Sequence, residues 1–197
     1  EAAERLGARK VFVEEEPKVA AIGAGMDISK PSGNMVIDIG GGTTDIAVLS
    51  LGGIVTSQSL KVAGNSFDLA IIDYVKGKHK LLIGDRTAED VKFKLGAVYN
   101  GDSDNKMEIK GRNLSKGLPY TIEITEKEIE EALYPLAMEI VKKAKEVLEK
   151  TPPELSADIV DKGIVLTGGG ALVKGMPELF EQELKVPVFI SESPLTC

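Results

Sequence analysis

Met35-Val36-Ile37-Asp38-Ile39-Gly40-Gly41-Gly42-Thr43-Thr44-Asp45 is the stretch that decides the fold. Its first five residues are apolar except for one carboxylate, the pattern of a strand buried on both faces. Gly40-Gly41-Gly42 reads as a tight turn, Asp45 to Ser50 as the returning strand, and Leu51-Gly52-Gly53 as a second turn before a third strand, Ile54 to Val62. Three strands joined by short glycine turns predict a meander. Because Met35, Ile37 and Ile39 alternate with Val36 and Asp38, the meander delivers the Asp38 carboxylate to the end of a buried strand, where a cation or hydrogen-bond donors are expected to meet it. Three glycines without β-carbons leave amides free to point at an anion, and Thr43 adds a hydroxyl. The loop lacks the lysine of a Walker sequence and leads into a strand instead of a helix. A glycine-rich hairpin without any ligand is the alternative.

A second stretch, Leu166-Thr167-Gly168-Gly169-Gly170-Ala171, repeats the form about 130 residues on: a buried strand, Lys162 to Thr167, running into three glycines. Leu172 to Phe180 is helical by pattern apart from Gly175 and Pro177, so these amides are expected at a helix N-terminus, which favours anions. Two such loops suggest two sides of one nucleotide cleft. Glu89 and Lys92, three apart on a helix, share a face where an acceptor and a donor can hold a ribose or base; a surface ion pair is the plainer meaning of that spacing. Glu14-Glu15-Glu16-Pro17 places three carboxylates before a helix N-terminus, serving either its dipole or, in the case of Glu16, the orientation of a water beside a phosphate.

The other segments follow from pattern. Glu1 to Gly7 reads as the end of a helix, Lys10 to Glu14 as a strand, and Lys18 to Gly25 as a helix opened by Pro17. Ser66 to Lys78 is helical, with Phe67, Ala70, Ile71 and Tyr74 on one face, and Thr87 with Asp90 resembles a capping box for the next helix. Asn100 to Asn105 is a polar loop, and Lys106 to Arg112 pairs with Tyr120 to Thr125. Thr125 and Glu128 make a second capping box for a long helix ending at Thr151-Pro152-Pro153, with Ile129, Leu133, Leu136, Ile140, Ala144, Val147 and Leu148 on one face and Pro135 expected to kink it. A short helix, Leu179 to Leu184, and a strand, Val186 to Ser191, close the chain.

Composition removes several function classes. The 24 Lys and Arg against 31 Asp and Glu give a net charge of −7 over 197 residues, which argues against a basic nucleic-acid surface. No apolar run is long enough to span a bilayer. Cys197 is the only cysteine, so an internal disulfide is excluded and a reducing cytoplasm fits. His79, the only histidine, is expected at an exposed helix end, and neither a Ser/His/Asp set nor a zinc pattern is present. Glycine, 21 of 197, is in excess of the usual ~7%. Both ends read as cuts within a longer chain.

Taken together, Glu15-Glu16-Pro17 with Ala20-Ala21-Ile22-Gly23, Asp38 to Thr44, Gly84 to Glu89, Thr151 to Leu155 and Leu166 to Ala171 closely resemble the MreB/Mbl family of bacterial actin-like proteins, over essentially the whole chain. The resemblance implies an α/β fold of the actin-like ATPase type, a ribonuclease H-like sheet with flanking helices plus a small inserted α+β subdomain. It implies that residues 1–33 end a first large subdomain, that 34–64 with 125–191 form the second, nucleotide-binding one, that 65–124 are the insert, and that 192–197 begin the return. It further implies that Gly40, Gly41, Gly42 and Thr43 form a phosphate loop, that Asp38 holds Mg²⁺ through water, and that Glu16 positions the attacking water. Glu89, Asp90, Val91 and Lys92 would contact ribose and adenine, and Gly168, Gly169, Gly170 and Ala171 the adenosine.

The activity implied is Mg-dependent hydrolysis of ATP to ADP by a full-length filament protein at the inner face of the cell membrane, maintaining rod shape by organising cell-wall synthesis. Its partners would be further copies of itself and morphogenesis proteins, with membrane contact through elements outside this chain and no nucleic acid. A first phosphate hairpin, expected before Glu1, is not in the sequence, so the isolated chain is expected to be inactive. A sugar or acetate-type kinase, or a chaperone-like ATPase of the same superfamily, is the alternative.

Overall fold

The computed structural model describes residues 2–195, so Glu1, Thr196 and Cys197 lie outside the described residues. The predicted meander forms: β1 (Asn34–Ile39), β2 (Thr44–Ser50) and β3 (Gly53–Leu60) run antiparallel in sequence. Two later strands, β7 (Ile164–Thr167) and β8 (Val188–Ile190), add in parallel on the other side of β1 and complete a mixed sheet ordered β3-β2-β1-β7-β8. β1 is therefore central, which is why its sequence is apolar on both faces.

Its two faces enter different cores. Met35, Ile37 and Ile39 join the large core, while Val36 packs with Ala47, Leu49 and the alanines Ala20 and Ala21 of helix α2 (Glu16–Gly23). Asp38 shares the Val36 side by strand alternation, so the sheet itself aims this carboxylate toward the α2 face. Three further antiparallel strands, β4 (Leu81–Leu82), β5 (Lys106–Asn113) and β6 (Pro119–Thr125), form a separate small sheet in sequence order. Helices α3 (Gly64–His79) and α4 (Asp85–Leu95) pack on each other, α3 through Phe67, Ile71 and Val75 and α4 through Ala88, Val91 and Leu95.

Helix α5 (Glu126–Lys150) spans the molecule from the small sheet to β2, β3 and helix α7 (Met176–Leu184). Its capping box is formed as expected: Glu128 N donates to Thr125 Oγ1 at 3.2 Å, and Thr125 N donates to Glu128 Oε2 at 3.0 Å. Pro135 does not interrupt it. The proline is on the exposed side, where a carbonyl deprived of its helical donor can meet water.

Four expectations require correction. Lys10 to Glu14 forms no strand; Phe12 and Val13 are strongly exposed, so the β-branched pattern there has no sheet to join. Thr87 does not cap α4, which starts at Asp85 after an extended Gly84, so Thr87 is already within the first turn. A helix not predicted, α6 (Pro153–Lys162), fills the space before β7, which consequently begins two residues later than expected. His79 is not exposed: its ring nitrogen Nε2 lies 2.9 Å from Glu128 Oε1, tying the end of α3 to the cap of α5. At the N-terminus only a single turn, α1 (Ala2–Arg5), is helical. Among the described residues no helix is long and apolar enough to cross a membrane.

Candidate functional site

Both glycine loops emerge at the same end of the sheet, because β1 and β7 are parallel neighbours with Asp38 beside Thr167. The first loop is a turn closed by Gly40 N donating to Thr43 O at 3.0 Å. It is held from behind by the first turn of α3, whose Gly64 and Asn65 amides donate to the carbonyls of Gly40 and Gly41 at 3.0 and 2.8 Å. With those carbonyls engaged, the loop turns its other side outward; Gly41, Gly42 and Thr43 are exposed.

The second loop is built differently. Gly168 has φ +80, and a β-carbon there would come within 2.4 Å of both Asp38 Oδ1 and Ile39 O. At Gly170 a β-carbon would lie 2.2 Å from Ile39 Cγ2. These two glycines are therefore needed for the 3-10 turn Gly169–Leu172 to lie directly on the end of β1, whatever binds above. Gly169, between them, is exposed.

A cavity of about 760 Å³ opens between the loops, within the size range of small-molecule sites. Gly40 and Gly41 line it from one side and Gly169 and Gly170 from another; Gly64 and Asn65 of α3 and Glu89, Lys92 and Phe93 of α4 complete the near wall. Of the residues singled out from sequence, the structure thus gathers Gly40, Gly41, Glu89, Lys92, Gly169 and Gly170. Glu16, Asp38, Gly42, Thr43, Gly168 and Asp90 are not on this wall, and the side chains of Val91 and Ala171 are fully buried in the core. Glu89 and Lys92 share the wall, but Lys92 Nζ is paired at 2.8 Å with Asp68 Oδ2 of α3.

Asp38 is half-buried behind the first loop, and its carboxyl is pushed above its ordinary value. Burial is the main cause, followed by the like charges of Glu16, the first residue of α2, and of Asp45, its register partner on β2. Three carboxylates brought together at the mouth of a glycine loop, with no cation among them, make a place that a hydrated divalent ion would stabilise. Among the described residues no three or more His, Cys, Asp or Glu side chains are arranged to hold a metal ion directly. Glu14, by contrast, is spent on Lys18 at 2.9 Å, and Glu15 caps α2 without a side-chain bond.

Sequence reasoning missed the far wall. Glu126, at the start of α5, is almost fully buried and accepts from Asn105 Nδ2 at 2.5 Å, from the Asp102 amide at 3.2 Å and from Lys174. Burial alone would raise its pKa, but these donors outweigh it and the carboxyl is held below the usual range. Lys174 also exchanges backbone bonds with the 96–98 segment, its amide to Gly96 O and its carbonyl from Val98 N, so the second loop is fastened to the helix–sheet unit opposite. Nothing in the spacing of Asn105, Glu126 and Lys174 marks them as neighbours.

Known proteins are similar to this chain in sequence and in fold. The MreB/Mbl protein family matches residues 1–197. Cell shape-determining protein Mbl of Bacillus cereus is 61% identical over 197 residues, covering 100% of this chain and 59% of that protein. Cell shape-determining protein MreB of Escherichia coli (strain K12) is 48% identical, with 57% of its length covered. The crystal structure of MreB 5 of Spiroplasma citri bound to AMPPNP superposes with a TM-score of 0.95 at 43% identity, over 99% of this chain and 59% of that one. The MamK double helical filament, at 24% identity, TM-score 0.74 and coverage of 91% and 55%, shares the fold. The chain thus spans somewhat under three fifths of these relatives, its fold is the mixed α/β fold of actin-like proteins, and it belongs to the MreB/Mbl protein family.

Proposed function

We propose that this chain is the larger part of the nucleotide-binding half of an actin-like, cell shape-determining protein that binds ATP with Mg²⁺, hydrolyses it and polymerises at the cytoplasmic face of the membrane. The observation that carries the proposal is the convergence of two glycine loops on one cavity beside Asp38, in a chain that superposes on a relative bound to AMPPNP. The filament part draws on MamK, and the role in cell shape on the names of the relatives. Residues 34–64 and 125–191 carry the five-stranded sheet and so suit the large subdomain; 65–124 carry most of the three-stranded sheet and suit the insert.

The residues divide the work by chemistry. Amides of Gly40 to Gly42 and the Thr43 hydroxyl would meet the phosphates, and the 3-10 turn after Gly168 the adenosine. Asp38 would anchor a hydrated Mg²⁺, which supplies neutralisation of charge building on the transferring phosphoryl group. Glu16, whose charge Asp38 already feels, would orient a water toward that region. The −7 net charge does not oppose this, because the anion would be met by local amides and a cation.

The test is sedimentation of the full-length protein with ATP and Mg²⁺ alongside phosphate release. Pelletable polymer with ATP turnover supports the reading. Turnover that requires an added sugar and leaves no polymer would instead identify a kinase. Glu16→Ala should slow hydrolysis at least tenfold with ATP affinity largely kept, and equal loss of both would make Glu16 structural. The isolated 197-residue chain should bind ATP weakly and show no turnover.

A further inference from the structure

Lys92 has three N–H donors to place, and two are already used. Its Nζ lies 2.8 Å from Asp68 Oδ2 and 3.2 Å from the carbonyl of Gly64, both on α3. The side chains of Lys92 and Asp68 are only 12% and 17% exposed, so water screens this pair little. Asp68 is behind Lys92, off the cavity wall; Lys92 is on it. The carboxylate depends on this partner, because its other oxygen, Oδ1, is buried without a hydrogen bond. On the cavity side, Lys92 is flanked by Glu89 and by the ring of Phe93, whose centroid is 5.5 Å from Nζ and whose side chain is largely exposed.

We propose that Asp68 is a positioning residue that neutralises and orients Lys92, so that the ammonium offers a single fixed donor to an uncharged acceptor on the nucleoside end of the ligand. This rests on the nucleotide-binding reading above. Three features favour a nucleoside acceptor over a phosphate. The positive charge of Lys92 is already balanced by a carboxylate in contact with it. Glu89, beside it on the wall, would repel a phosphate. The exposed aromatic ring next to it suits a sugar or base. An unpaired lysine on a flexible stem would behave oppositely, as a mobile point charge drawn to phosphates.

The experiment is equilibrium competition against a fluorescent ATP analogue on the full-length protein, with ATP, ADP and adenosine as competitors. Asp68→Asn is expected to weaken all three by a common factor of about tenfold, the scale of one oriented hydrogen bond to a charged group. Lys92→Met should lose a similar factor. The double variant should lose no more than Lys92→Met alone, because Asp68 acts only through Lys92. Asp68→Glu keeps the charge and should recover most of the affinity. Additive losses in the double variant, a loss confined to ATP and ADP, or an Asp68→Asn protein that binds as wild type would each overturn the proposal. If wild type fails to bind ATP at all, the nucleotide reading itself fails and takes this role with it. Thermal melting separates folding from positioning: Lys92→Met, which strands a buried carboxylate, should melt below the double variant.

Discussion

The two glycine loops are the same tripeptide after the same kind of strand, yet they are held by opposite means. In the first loop, a β-carbon at Gly42 would meet nothing within 4 Å and one at Gly41 only ordinary contact, so the absence of side chains there leaves open space. In the second, the glycines at 168 and 170 are required because the chain lies on the end of β1. An identical sequence thus serves access in one place and packing in the other, and the difference comes from the neighbour: solvent above a hairpin, or a central strand beneath a turn. Substitutions can break this contrast, and their effects on stability should fall in a definite order.

The largest effect is expected at Gly168. Alanine there would combine a left-handed φ with backbone contacts near 2.4 Å, so the loop or the end of β1 has to move. Gly168→Ala should lower stability by about 3 kcal/mol or more, read by chemical denaturation; a loss under about 1 kcal/mol would place the second loop in the same class as the first. Next comes Lys174, which fastens that loop to Glu126. Lys174→Met removes one of three donors to an almost fully buried carboxylate, leaving Asn105 and the Asp102 amide, and should lower stability at neutral pH by less than Gly168→Ala does. The carboxyl of Glu126 is held low, so its contribution to stability is present above the unfolded value and lost as pH falls through the folded one. The difference between wild type and Lys174→Met should therefore shrink on acidification below about pH 4. An unchanged difference across that range would remove Glu126 as the partner.

What was legible in the sequence follows the same division. The meander, β7, and the long capped helix were readable because strand alternation, glycine turns and a capping box are local signals. Of the candidate site residues, those in a local pattern were readable, and Gly40, Gly41, Gly169 and Gly170 do line one cavity. Asp68 was not readable, since its meaning lies in a partner on another helix, and neither were Asn105, Glu126 and Lys174, contributed by three separate segments. The capping signal at Thr87 failed because a competing start, with Gly84 extended and Asp85 in the first turn, came three residues earlier. The strand signal at Lys10 to Glu14 failed because propensity without a neighbouring strand forms no ladder.

A smaller effect, of opposite sign, is expected at Asp38, which lies between the two loops. Its carboxyl is held above the ordinary value of 3.8, so the folded state takes up this proton more readily than the unfolded one. The contribution of this group to stability is then full below the unfolded value and declines as pH rises through the folded one. Asp38→Asn should consequently stabilise the protein at pH 7 by up to about 1 kcal/mol, limited because the side chain is partly open to solvent, and the gain should vanish near pH 3. The same variant should lose any dependence of ATP affinity on Mg²⁺. A destabilised Asp38→Asn protein at pH 7 would mean that the charge is satisfied within the chain and that no cation is called for.

The smallest effect on stability should be at Gly42. Its φ is not in the left-handed region and its β-carbon direction is open, so alanine fits the folded conformation without strain. Alanine also restricts the unfolded chain, which makes Gly42→Ala neutral or stabilising by a few tenths of a kcal/mol, up to about 1. If the open side of the first loop is where phosphate oxygens approach the backbone, the added methyl group occupies that approach, and ATP affinity should fall by about tenfold while the melting temperature holds. That pairing of an intact fold with weakened binding cannot be produced by a loop whose glycines serve packing. Should Gly42→Ala instead lose stability as Gly168→Ala does, the first loop is also a packing element and the contrast between the two disappears.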